Sequence, residues 1–179
     1  MMGMREKWRQ VGFALFNVVV THIPSHTIRL ATLRAWGAQI GARSTIGRGT
    51  TIIDIDGLRV GEGCSIGFRC MLDARGGIRI ADDVTIASDT HIITGRHEVH
   101  SDSFAAVFAP VVIGDHVWIA SRSTIVDGVT IGRGAVVGAC TLVRKDVAEM
   151  EIVAGVPARS LGTRTSSLNY TAAYRRKFY

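Results

Sequence analysis

The chain has 179 residues, 47% of them apolar, which is enough for one domain with a core and too apolar for a disordered chain. Its formal charge of +6 suits polyanions or phosphorylated small molecules. No block of Lys and Arg with interleaved aromatics precedes the last ten residues, which argues against nucleic acid. The three cysteines, Cys64, Cys70 and Cys140, form no C-x-x-C pair and no even disulfide set, so a reducing, cytoplasmic setting is expected.

Residues 1–36 are predicted to form a helical segment of two helices broken at Pro24. Trp8, Val11, Leu15 and Val18 recur at helical spacing in the first. The second starts near Ser25, a candidate N-cap, and ends at Gly37. The longest apolar run, Val11 to Val20, is interrupted by Gly12 and Asn17 and is too short to span a bilayer. It follows Arg5, Lys7 and Arg9 as a signal-peptide core would, but Thr21-His22-Ile23 offers no small-x-small cleavage site. Two readings of the segment stand. It is a cap over the open end of the domain that follows, or a peripheral membrane contact in which Arg5, Lys7, Arg9, Arg29 and Arg34 accompany the apolar positions.

From residue 37 the chain repeats in sixes. Ile40 opens IGARST and IGRGTT; Val60 opens VGEGCS and IGFRCM; Ile80 opens IADDVT and IASDTH. Ile113 opens IGDHVW, IASRST, IVDGVT, IGRGAV and VGACTL. Each begins with Ile or Val, all but the one with Val126 have Gly or Ala second, and each has a small residue fifth. A period of six is neither that of a strand nor that of a helix; it fits a short strand and a turn, repeated. The branched first residue fills the interior and the small fifth one points into a narrow corner. Three units make a triangular coil, and coils stack about 4.8 Å apart. Ile40, Val60 and Ile80 lie one twenty-residue coil apart, whereas Ile113 and Ile131 are separated by eighteen. Cys64 and Cys70 are both fifth residues and are expected to be buried thiols.

Between Ile92 and Ile113 the register breaks. The segment 93–112, ITGRHEVHSDSFAAVFAPVV, must leave the solenoid and return as a loop, and such a loop is a place for function. It holds His97 and His100, with Glu98 and Asp102 beside them as groups that orient a histidine or bind substrate. Trp118 and His91 are sixth residues and therefore outward on the wall. A zinc site of the carbonic anhydrase kind needs three histidines; His91, His97, His100 and His116 lack the H-x-x-x-x-H pair that follows a distant third, so no metal is expected. The end of the chain, 163–179, is a basic tail whose last residues, Tyr174 to Tyr179, are expected to be mobile.

Three stretches taken in order, TGRHEVH (94–100), IGDHVWIASRSTIVDGVTIGRGAVVGACTLVRKDV (113–147) and VAGVPAR (153–159), resemble the hexapeptide acyltransferases. The similarity is greatest to the branch with galactoside, maltose and xenobiotic acetyltransferases and exopolysaccharide O-acetyltransferases, over about residues 37–162. The resemblance implies a left-handed parallel β-helix, although parallel crossovers are usually right-handed. It also implies a homotrimer with the site between subunits, acetyl-CoA as donor, and direct transfer to a sugar or glycan hydroxyl without a metal. His97 matches the family's catalytic histidine, a general base. Asp73 stands where the family often has an acid facing the cleft, and Trp118 where it has an aromatic beside it. Where some sugar acetyltransferases have an Asn that stabilises the oxyanion, this chain has Arg69, a departure. Ser121 and Ala139, one coil apart, match positions that touch the pantetheine arm; Lys145, Arg159 and Arg164 follow as cations for the phosphates. Two rivals remain open: a serine or xenobiotic acetyltransferase, and a non-catalytic or carbonic-anhydrase-like hexapeptide protein.

Overall fold

The computed structural model describes residues 4–173, so the expected mobility of Tyr174 to Tyr179 falls outside the described residues. The chain folds as a parallel β-helix with three walls and a helical cap. The first wall stacks Gln39–Ile40, Leu58–Val60, Ile78–Ile80, Val111–Ile113 and Thr130–Ile131. The second stacks Thr45–Ile46, Ser65–Ile66, Thr85–Ile86, Trp118–Ile119, Val136–Val137 and Glu151–Ala154. The third stacks Thr51–Ile53, Met71–Asp73, His91–Ile93, Thr124–Ile125 and Leu142–Val143. Successive coils are in register, with Ile40 beside Val60 and Val60 beside Ile80.

The six-residue reading of the interior holds at every repeat. All first residues, from Ile40 through Val137, are buried, and so are all fifth residues, from Ser44 through Thr141. Cys64 and Cys70 are among them, and burial pushes both thiols up to about 11, which keeps them protonated and inert. The small second residue has a cause outside its own coil. A Cβ added at Gly47 would lie 2.5 Å from the carbonyl oxygen of Gly67, one coil on.

Coil-to-coil pairing leaves the first coil with an open backbone edge, and the N-terminal helices close it with side chains. Helix α1 spans Met4–Val18 and α2 spans His26–Ala35. On the third wall, the Asn17 side chain accepts from Ile52 N (2.8 Å) and donates to Ile52 O (2.9 Å). On the second wall, the fully buried Arg29 donates to Ile46 O from Nε (3.1 Å) and from the guanidinium tip (2.8 Å). The same tip nitrogen, Nη2, also meets His26 Nδ1, and Nη1 donates to Ile23 O. Burial, and then the Arg29 charge, hold His26 below its ordinary pKa, so it stays a neutral acceptor. On the first wall, Arg34 donates to Ile40 O and Gly41 O. Thr21 completes the edge, donating to Thr50 O and accepting from Gly49 N.

Two expectations about these helices are corrected. Ser25 occupies the N-cap position of α2 but makes no side-chain capping bond. The stripe Trp8, Val11, Leu15 and Val18 does not face the coil: these residues are 58%, 53%, 40% and 72% exposed. Gly12, Phe16 and Asn17 turn inward instead. The physical reason is the partner. An unpaired backbone edge needs donors and acceptors, so Asn17 turns inward beside the buried Gly12 and Phe16.

Replacing Arg29 by Ala strands two buried carbonyls, at a cost of about 3 kcal/mol. For a chain of this size Tm is expected to fall by roughly 6–12 °C. Arg29→Lys, which keeps the charge without the fork, should recover only part of the loss. Calorimetry reads both; an unchanged Tm in Arg29→Ala would mean that the edge bonds contribute little.

Candidate active site

The third corner, between the third wall and the first, varies most from coil to coil. In the second coil it is the short turn after Asp73. In the third coil the chain leaves at Thr94 and returns at Ala109. The neck is closed by Ala109 N donating to Thr94 O (3.0 Å). The buried Thr94 hydroxyl donates to Asp73 O (2.6 Å) and accepts from Gly76 N (2.8 Å), which fixes the neck to the coil beneath. Within the extruded loop, Gly95–His97 and Ala106–Phe108 pair as an antiparallel hairpin. Two cations hold it down. Arg96 is ion-paired with Asp127 of the fourth coil and with Glu98 at 3.1 Å, and the Arg75 guanidinium lies 4.9 Å from the Phe108 ring centroid.

His97 is exposed on this hairpin, with its ring position fixed. Its Nδ1 lies 2.8 Å from the carbonyl oxygen of Phe104, and the two rings stack at 4.4 Å with planes 8° apart. Phe104 is left-handed, at φ 44°, and so presents both ring and carbonyl to the imidazole. A carbonyl only accepts, so Nδ1 carries the hydrogen and Nε2 keeps its lone pair. The ring thus presents an unprotonated Nε2 on the face away from the Phe104 carbonyl bond, a nitrogen able to accept a proton. His100 lies in the turn three residues on, exposed.

The other candidate residues fall into separate places. Asp73 lies beneath the hairpin, 2% exposed, gripped by Arg75 through two bonds of 2.8 Å. Its carboxylate is therefore covered rather than open to a cleft. Glu98 is the partner of Arg96. Lys145 and Arg159 come together in a groove of about 420 Å3 at the third corner's far end, with Arg144, Asp146 and Glu151 also lining it. Trp118 stands 48% exposed on the second wall, and Ser121 and Ala139 stack at the second corner, where Cys140 N donates to Ser121 O. Arg69 is at that corner too, ion-paired with Asp89 at 2.8 Å. Arg164 is elsewhere: it lies on the first corner, donating to His116 O, Gly134 O and the Tyr170 hydroxyl. One chain therefore brings His97, Asp73, Lys145 and Arg159 to one corner and Trp118, Ser121 and Ala139 to another.

A second cavity of about 420 Å3 lies at the near end of the third corner, between α1 and the first coil. Phe13, Trp36, Asp54, Asp56 and Arg75 are among its lining, and Arg9 spans Asp54 (2.5 Å) and Asp56 (2.6 Å) within it. Arg75 thus links this cavity to the hairpin. The sequence reading did not single out Arg75, Arg96, Phe104, Asp127 or Arg144. Arg96 carried a usable signal, as it lies inside the TGRHEVH stretch; the rest become legible only when the corners stack. Among the described residues no group of three or more His, Cys, Asp or Glu is placed to hold a metal ion. His91, His97 and His116 lie on the third wall, the hairpin and the first corner respectively.

Residues 110–145 match the bacterial transferase hexapeptide (six repeats) family, and residues 57–88 match the hexapeptide repeat of succinyl-transferase. The chain is 33% identical over 130 residues to the putative colanic acid biosynthesis acetyltransferase WcaF of Escherichia coli K12, covering 73% of this chain and 71% of that one. Its fold matches the hexapeptide-repeat acetyltransferase VCA0836 of Vibrio cholerae, solved with acetyl-CoA, at a TM-score of 0.81 and 26% identity, over 90% of this chain and 89% of that one. A maltose O-acetyltransferase of Clostridium difficile 630 gives 0.79 and 27%, over 91% and 89%. These neighbours are left-handed β-helices, and the chain shares that architecture. By fold, repeat and sequence the chain belongs to the hexapeptide-repeat acetyltransferases.

Proposed function

We propose that the protein transfers an acetyl group from acetyl-CoA to a hydroxyl of a sugar or glycan, with His97 as general base. The observation that carries this reading is the pinned tautomer: Nδ1–H held by the Phe104 carbonyl leaves Nε2 to take a proton. As the acceptor oxygen bonds the thioester carbonyl carbon, its proton passes to Nε2. The Phe104 carbonyl steadies the imidazolium that forms. As the carbon–sulfur bond breaks, Nε2 returns the proton to the departing thiolate. No residue needs to be acylated.

The donor's phosphates suit the cationic groove at the third corner, where Arg144, Lys145 and Arg159 converge. WcaF and the maltose enzyme are named for saccharide chemistry. The cavity at the near end of the same corner offers what a sugar needs, ring faces from Phe13 and Trp36 beside the carboxylates of Asp54 and Asp56. Trp118, Ser121 and Ala139 lie on a different corner, and they join the site if a neighbouring copy supplies them. This supports the homotrimer that the family resemblance implies.

Free-thiol release from acetyl-CoA, screened over sugars, amino acids and antibiotics, tests the reading. Turnover is expected with saccharides. His97→Ala should lower it by roughly 100- to 10,000-fold with Tm unmoved. Turnover confined to amino acids or antibiotics, or a fully active His97→Ala, would overturn the proposal. Lys145→Ala with Arg159→Ala should raise the KM for acetyl-CoA and leave the acceptor KM nearly unchanged. Added salt should weaken donor binding in the parent more than in the double variant. Light scattering should give three chains per particle; a stable, active monomer would exclude a shared site.

A further inference from the structure

We propose that Arg96 and Asp127 are positioning residues for His97: their ion pair sets where the hairpin carries the imidazole, and through that the rate of transfer. The effect on rate rests on the reading of His97 as the base. The hairpin meets the solenoid in two places. One is the neck, where Ala109 N donates to Thr94 O and Arg75 lies against Phe108. His97 is three residues further out, up to about 10 Å along an extended chain. Its contacts with Phe104 lie within the hairpin, so they hold the ring to the loop and leave the loop free to tilt on its neck. At that radius a tilt of about 6° moves the ring by about 1 Å. A misplacement of that size in a catalytic site costs about 100-fold in rate. Stopping the tilt takes a contact beyond the neck.

Arg96 makes that contact. It precedes His97 in the strand Gly95–His97, and side chains alternate along a strand, so the two face opposite sides of the hairpin. Glu98 N donates to Ala105 O (3.0 Å), which carries the pairing one residue further and returns Glu98 to the Arg96 side. There the Arg96 guanidinium joins Glu98 at 3.1 Å and Asp127 of the fourth coil. Glu98 belongs to the hairpin and adds no tie to the solenoid. Asp127 does, and by holding one side of the strand it leaves His97 fixed on the other. The anchor is itself stiff. The Asp127 side chain is 8% exposed, in the third-corner turn of its coil. On either side of it, Val126 N donates to Val143 O and Val129 O accepts from Val112 N, which binds the turn to the coils above and below. A Cβ added at Gly128 would lie 3.6 Å from the Ala109 Cβ, so the turn also rests against the neck. Neck and ion pair together give the hairpin two separated points of attachment, and a body held at two points does not tilt about one.

Steady-state kinetics of the full chain with acetyl-CoA and a saccharide, beside NMR of the hairpin amides, tests the proposal. Arg96→Met and Asp127→Ala are each expected to lower kcat roughly 10- to 100-fold and to leave both KM values within about twofold. The double variant should be no slower than the slower single one, because the two residues act as a unit. Arg96→Lys, which keeps the charge without the fork, should recover part of the rate. Nuclear Overhauser contacts between the His97 and Phe104 rings should persist in every variant. The amides of 95–108 should show microsecond-to-millisecond exchange in both single variants and not in the parent. An electrostatic effect on the base would look different: the pH midpoint of kcat would rise in Arg96→Met, which loses a cation, and fall in Asp127→Ala, which loses a carboxylate. Such opposed shifts, a kcat near the parent's in either single variant, or additive losses in the double variant would overturn the proposal. So would loss of the ring contacts in both single variants, because the pair would then be needed to fold the hairpin rather than to aim it. A fully active His97→Ala would end the catalytic reading by itself; the mount is then judged on amide exchange alone, and unchanged exchange in both single variants would overturn it.

Discussion

Every coil of this solenoid needs a backbone edge from another coil, and that requirement shapes both ends of the molecule. Inside, the demand is met by repetition: Thr45 N donates to Cys64 O, Ser65 N to Val84 O, and Thr85 N to Val117 O. At the ends repetition stops and something else must supply the partners. The first coil receives side chains, Asn17, Arg29 and Arg34, one to each wall. The last coil receives its own chain: Arg159–Thr163 turns back as an antiparallel strand on Glu151–Ala154, and Ala158 N and Gly155 O pair with Leu142. An unpaired buried carbonyl costs about 1–3 kcal/mol, so neither end is optional. The turn that closes the last coil is also the one that brings Arg159 beside Lys145. Closure of the far edge and assembly of the cationic groove are one structural event.

Side chains that point into the solenoid were legible in the sequence because the repeat has a fixed period and a fixed interior. Ile113, Val117, Ile119 and Ser123 can be placed by counting, and all are buried. The same counting fails outside the repeat. In α1 an apolar stripe at helical spacing signals a buried face only when the partner surface is apolar. Here the partner is a row of peptide groups, so Asn17 is turned inward and Val18 is left at 72% exposure. The second corner shows a milder version of the limit. Gly49, Arg69, Asp89, Arg122 and Cys140 all take left-handed conformations there, yet only one is glycine. The conformation repeats with the coil, whereas the residue type does not.

For the site, the sequence named the histidine and the cations but not what holds them. The motif singles out His97 as the candidate base. Phe104, seven residues on, was not legible, because its two contacts with the imidazole arise only when the hairpin closes. Arg164 looked like one more phosphate ligand by its proximity to Arg159 in the chain. Five residues along the returning strand and beyond it carry it to another corner, where three oxygen acceptors hold it. Linear distance is a poor guide at the end of a solenoid, where a strand's length converts directly into a change of corner.

The position of the hairpin follows from the economy of such corners. A corner lies between two strand ladders, so chain inserted there interrupts neither. The corner grows from four residues at 74–77 to sixteen at 94–109, two doublings, and the added closure entropy is about 1.2 kcal/mol. Thr94 alone offsets much of this with two bonds to the coil beneath. The Arg75 contact with Phe108 adds roughly 0.5–1 kcal/mol. The pairing of Arg96 with the nearly buried Asp127 ties the hairpin to the coil above. An imidazole held by Nδ1 to a carbonyl needs a stiff mount, and a loop on a free surface would not provide one. The stacked corner provides it from both sides, so a fold with so repetitive an interior can hold the His97 ring in place outside its repeat.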